Sequence, residues 1–65
     1  MRVIPMDVYD KDGNLKHLEV TDANGDFVMQ ILWDPRDEQT SENRIAFRQW
    51  AYAHLEQSQG YEVSR

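Results

Sequence analysis

Two short polar stretches, each with a glycine near its end, limit what this chain can fold into. Asp10-Lys11-Asp12-Gly13-Asn14 and Asp22-Ala23-Asn24-Gly25-Asp26 interrupt three runs with more apolar character. Glycine takes positive φ at no steric cost, and Asp or Asn closes a tight reversal with its own side chain. The runs themselves, Arg2 to Tyr9, Leu15 to Thr21 and Phe27 to Trp33, have strand length. Three short strands joined by two tight turns predict an antiparallel meander.

Register follows from the hydrophobic pattern, because a slip of one residue turns every side chain to the other face. A two-residue turn at Asn24-Gly25 sets Val20 across from Met29, Leu18 from Ile31 and Lys16 from Trp33. In the first hairpin, a two-residue turn on Asp12-Gly13 puts Pro5 and Asp7 on the face of Leu18 and Val20 and leaves Ile4, Met6 and Val8 outside. A three-residue loop, Lys11-Asp12-Gly13 with Gly13 left-handed, instead sets Met6 across from Leu18 and Ile4 from Val20, and the pattern favours it. The predicted core face is then Ile4, Met6, Val8, Leu18, Val20, Met29, Ile31 and Trp33. Pro5 has no N–H for a ladder, so the first strand is expected at an edge or with that position turned outward.

The stretch Asp34 to Gly60 reads as one helix. Asp34 caps it, Pro35 fits the first helical position, and Asp37 puts a carboxylate in the first turn. Thr40 or Ser41 is an alternative cap, which turns residues 35 to 39 into a loop. Gly60 is the natural stop. At about 100° per residue, Phe47, Trp50, Ala51, His54 and Leu55 share the side that covers the sheet, with Ile45 and Tyr52 turned away. Tyr61 to Arg65 alternates and reads as a short last strand, free to join either sheet edge. The expected fold is α+β, a single domain over residues 1 to 65 in the order β-β-β-α-β.

The closing segment Gly60-Tyr61-Glu62-Val63-Ser64-Arg65, after an aromatic-bearing helix, resembles the small acidic bacteriophage proteins that inhibit host RNA polymerase. Those proteins also place a helix before a Gly-aromatic-Glu-Val strand. The likeness covers this segment only and carries over no functional residue.

A chain of 65 residues buries a small fraction of its surface, so a partner could supply missing burial. It has no cysteine, hence no disulfide, thiolate nucleophile or Cys-type zinc site, which fits a reducing cytoplasm. No apolar run approaches the length of a membrane span or a signal-peptide core. The net charge is -5 and unevenly placed. Residues 1 to 42 hold ten carboxylates and four basic side chains, whereas residues 43 to 65 hold Glu56 and Glu62 against Arg44, Arg48 and Arg65. Such an acidic body lacks the general attraction that drives phosphate binding, and a basic protein surface is its better complement.

Little in the chain points to chemistry. The two Asp/Asn clusters have their glycine in the wrong place for a twelve-residue calcium loop and no acidic residue to close it, so they read as Asx turns. His17 and His54 are the only imidazoles, and no set of three or four ligands accompanies them. His54 is expected at the edge of the Trp50 packing and His17 on the solvent side of its strand. Thr40, Ser41, Ser58 and Ser64 lie at caps and ends without a patterned base. An enzyme is not expected, and neither is a cofactor.

What the packing leaves over is surface. Val3, Tyr9, Leu15, Val28 and Leu32 fall on the uncovered sheet face in the favoured register, mixed with Asp7, His17, Glu19 and Gln30. A group of apolar residues on a half-covered sheet suggests a contact surface. On the helix, Arg44 and Arg48 form an i, i+4 pair with Ile45 and Tyr52 nearby, and Arg and Tyr often anchor interfaces. The expected partner-binding set is Arg44, Ile45, Arg48, Tyr52, Tyr9, Val28 and Leu32. The expected partner is another protein with a basic surface, or a second copy in a homodimer. The expected role is a small accessory or inhibitor protein; direct nucleic-acid binding by the Arg44/Arg48 side of the helix is one alternative, and a purely self-associating structural protein is another.

Overall fold

The computed structural model describes all residues from Met1 to Arg65. Four strands, β1 (Arg2–Tyr9), β2 (Leu15–Asp22), β3 (Phe27–Leu32) and β4 (Glu62–Val63), form one sheet, and a single helix, α1 (Ser41–Gln57), packs on one face of it. The strand order is β3-β2-β1-β4. The meander is antiparallel and β4 lies parallel to β1, so the expected β-β-β-α-β architecture is the one formed. The edge left open by the sequence is settled: the last strand joins β1, and only Glu62 and Val63 of it are strand.

Both turns are the same object. In the first, the Asp10 N–H donates to the Asn14 carbonyl at 2.8 Å and the Gly13 N–H to the Asp10 carbonyl at 3.1 Å. The Asp10 carboxylate then accepts from the Asp12 and Asn14 N–H groups at 2.8 and 3.0 Å. The second repeats this with Asp22, Asn24, Gly25 and Asp26, its carboxylate contacts at 2.9 and 3.0 Å. Gly13 and Gly25 sit at φ 82° and 85°, the left-handed region that a three-residue hairpin loop requires.

Each loop is followed by a bulge, and the bulges decide the register. Tyr9 pairs with Leu15, but Val8 pairs with His17, so Lys16 is the extra residue. The expected three-residue loop does form at Gly13, yet this bulge shifts the rest of the hairpin by one. Pro5 therefore pairs with Val20 and Asp7 with Leu18, not Ile4 and Met6 as the pattern favoured. The bulge lets Leu15 and Leu18 both point inward despite their spacing, and Val3 follows them; all three are buried. Ile4 and Met6 go to the outer face and stay exposed. In the second hairpin the expected two-residue turn at Asn24-Gly25 does not form: Ala23-Asn24-Gly25 is a three-residue loop, Val28 is an extra residue, and the two offsets cancel to give the expected pairs Val20 with Met29 and Leu18 with Ile31.

Pro5 lies in an inner strand, but β4 covers only Arg2 and Val3. The Met1 and Val3 carbonyls accept from Glu62 and Ser64, so alternate β1 residues turn their backbone toward that side. Pro5 comes next in that series, past the end of β4, and its missing N–H faces open space.

The helix starts at the alternative cap. Thr40 is extended and its Oγ1 accepts from the Asn43 N–H at 3.0 Å. Residues 34 to 37 form a turn instead, with Asp34 accepting from the Arg36 and Asp37 N–H groups. The loop is held to the sheet by Gln39, whose side-chain amide donates to the Leu15 carbonyl at 3.0 Å and accepts from the Leu15 N–H at 3.1 Å. At the other end Gly60 reverses the chain at φ 72°, and the Tyr61 N–H donates to the Leu55 carbonyl at 3.0 Å.

Val3, Leu18, Val20 and Ile31 of the sheet close on Ala51 and Leu55 of the helix, with Phe47, Tyr52, Tyr61 and Val63 around them. Tyr52, expected to turn away, is half-buried over this core, while Trp50, expected inside, is largely exposed. Tyr52 lies one turn after Arg48, whose contact with Asp7 is described below, so the two share the side turned to the sheet.

Candidate docking site

The residues expected to bind a partner do not form one surface. Arg48 reaches Asp7 across the sheet edge, its Nε 3.1 and 3.0 Å from the two carboxylate oxygens, with Nη2 on Oδ2 as well. Tyr9 completes the group: its hydroxyl donates to Asp7 Oδ2 at 3.0 Å and accepts from Arg48 Nη2 at 3.3 Å. The Arg48 hydrogen bonds hold the Asp7 carboxyl below the usual carboxylate range against an opposing desolvation, and Tyr9 helps. Arg48 is correspondingly raised, chiefly by its bond to Asp7. Arg44 donates to the Gln39 carbonyl at 2.8 Å and is half-buried. Both arginines therefore tie the helix to the sheet and loop, and Arg48 has its charge paired by Asp7.

The other members scatter. Ile45 stays exposed on the helix. Tyr52 covers the core, with the Arg65 guanidinium 5.2 Å from its ring centroid and Arg65 also paired with Glu56. Tyr9 is exposed along its ring but engaged at its hydroxyl. Val28 is half-buried against the core at its bulge. Of the expected set, Leu32 alone is a free apolar side chain on the sheet.

Leu32 has company that the sequence pattern did not supply. At 67%, 62% and 60% exposure, Leu32, Phe27 and Trp50 are the most exposed of the large hydrophobic side chains. Leu32 and Phe27 are on β3, the uncovered edge strand, and Trp50 is on the helix flank beside it. A cleft of about 370 Å³ separates that flank from the strand end, lined by Leu32, Asp34, Asp37, Asn43, Ala46, Phe47 and Trp50. Trp50 is exposed yet held: its ring stacks on Phe47 at 6.4 Å and on His54 at 5.8 Å, and Phe47 meets the buried Trp33 edge-to-face at 5.2 Å. Asp34 at the cleft mouth is held down to about 2 by its bonds from Arg36. β3 itself, Phe27-Val28-Met29-Gln30-Ile31-Leu32, carries neither charge nor proline. The legible signal was this charge-free run; Trp50 was missed because the side of the helix that faces the sheet was unknown.

No group of three or more His, Asp or Glu side chains is placed to hold a metal ion. His54 is stacked on Trp50, and His17 sits on the outer sheet face between Val8 and Leu32. The helix is not long and apolar enough to cross a membrane.

Fold and surface together define a small α+β domain with one sheet face covered, one strand edge open and an apolar cleft beside that edge. No family model matches the chain, and no curated protein or solved structure matches it.

Proposed function

We propose that this protein is an interaction module, an accessory or inhibitor that docks on a larger protein through the β3 edge and the cleft next to it. The observation that carries this reading is an unpaired strand with exposed Leu32 at one end, beside a cleft that exposed Trp50 also lines, and exposed Phe27 at the other end. Large apolar side chains gathered at an edge are where proteins receive partners, whereas single exposed ones need no explanation. The ten carboxylates of residues 1 to 42 favour a partner with a basic surface, where they stand in for nucleic-acid phosphates. Work in the cytoplasm suits a chain without cysteine. The nucleic-acid alternative is weakened, because Arg48 is paired with Asp7 within the fold and leaves Arg44 as the one unpaired cation of that pair.

The test is affinity capture from lysate of the native organism, comparing wild type with Leu32→Glu, Trp50→Glu and Ile45→Glu. Loss of a stoichiometric partner in the first two variants, with Ile45→Glu unaffected, is the expected result. Capture that survives Leu32→Glu and Trp50→Glu but fails in Ile45→Glu would move the site to the other flank of the helix.

A further inference from the structure

The backbone of β3 says what kind of segment the edge can take. Trp33 donates its N–H to the Lys16 carbonyl, and Ile31 and Met29 pair with Leu18 and Val20 in the same alternation. These residues spend their backbone groups on β2, so Gln30 and Leu32 turn theirs to the open side. Proteins ordinarily blunt such an edge with lysine, proline or a covering loop. β3 has no charged or proline residue, and no strand covers it.

We infer, resting on the docking reading above, that the occupant is an extended partner segment with basic ends, added to β3 as a fifth strand. Alternate side chains of an added strand fall on opposite faces of the sheet. Those on the helix side meet the cleft of Phe47, Ala46 and Trp50, which has room for a large apolar side chain. Those on the outer side extend the rows ending in Leu32 and Phe27. Charge selects the ends of the segment. Asp26 lies just before β3, and Asp34 and Asp37 just after it, and neither Asp26 nor Asp37 has an ion-pair partner. Asp34 is paired with Arg36, so Asp26 and Asp37 are the free carboxylates flanking the strand, and a second copy paired through β3 would bring together two bodies that each carry -5. A basic segment meets attraction at both ends where a copy meets repulsion.

The test uses the whole protein and short fluorescein-labelled peptides of alternating valine and threonine with a central leucine. One peptide ends in lysines, one in glutamates, and a third is the lysine form N-methylated at alternate amides. Anisotropy should show binding of the lysine peptide only, weakened about tenfold or more at about 0.5 M salt. On binding, the amide protons of Gln30 and Leu32 should gain protection from exchange. Gln30→Pro removes an outward N–H without touching the β2 ladder, and should weaken the lysine peptide by about tenfold or more. Failure of the lysine peptide to bind, or equal binding of its N-methylated form, would overturn strand addition. That failure is distinct from failure of the docking reading, which the Leu32 and Trp50 variants report by themselves. A dimer in sedimentation that Gln30→Pro dissolves would replace the basic segment by a second copy.

Discussion

At the scale of single residues, the contact that shapes this protein is the one between Asp7 and Arg48. A carboxylate on the inner side of a strand is costly unless a cation reaches it with good geometry. Arg48 does, from a helix position on the same side as the half-buried Tyr52. The pair is invisible in the sequence, since its members are 41 residues apart and the favoured register put Asp7 outside. Read on its own, Asp7 inside looked like a waste of Met6; read with Arg48, it is a matched position. Replacing Arg48 with Ala is expected to cost about 1 kcal/mol or more at neutral pH, by leaving Asp7 without its partner. Because the folded carboxyl titrates below its unfolded value, its stabilising effect is complete above that unfolded value and lost as pH falls through the lower folded one. Urea unfolding of wild type and Arg48→Ala should therefore diverge at pH 7 and draw together as the pH falls below the usual carboxylate range; a gap that persists in strong acid would mean the arginine acts by packing alone.

At the scale of elements, the chain reads more easily than at the scale of contacts. Both turns and all three long strands were legible, because Asx and glycine chemistry is local and survives without tertiary help. The helix start was ambiguous for the same reason: Asp34-Pro35 and Thr40 are both sound local caps. Tertiary structure chose Thr40, since Gln39 and Trp33 bind the preceding segment to the sheet, Trp33 through its indole N–H on the Asp37 carbonyl at 3.3 Å. The bulges were not legible, as an extra residue leaves no composition signal. Twin loops should respond alike to the same change. At Gly13 and Gly25 an added Cβ meets nothing within 4 Å, so substitution by Ala costs only the left-handed backbone. Thermal unfolding of Gly13→Ala and Gly25→Ala is expected to show equal losses of about 1 kcal/mol. A much larger loss at one of them would mean that its loop also makes contacts beyond the hairpin.

At the scale of the molecule, one helix covers one face of a four-stranded sheet, and only Val3, Leu15, Leu18, Val20, Ile31, Trp33, Ala51 and Leu55 are buried. So small a core makes the choice of register measurable. Leu15→Ala should cost about 3 kcal/mol because it empties a buried site, whereas Met6→Ala on the outer face should stay within about 0.5 kcal/mol. The reverse order, read by chemical denaturation, would restore the register that the hydrophobic pattern favoured. The pairing of β4 with β1 bears on how the chain is made. Arg2 and Glu62 stand side by side and their side chains pair at 3.2 Å, so the sheet is closed by a contact between the two extremes of the sequence. The hairpins are local and can form as soon as their residues leave the ribosome, whereas that closing contact must wait for Glu62 and Val63. During synthesis the nascent meander therefore has two naked borders, β3 and β1, of which β1 alone is later covered, and only at Arg2 and Val3. The charges of the young chain, concentrated in its first 42 residues, are present throughout that interval and hold identical nascent meanders apart.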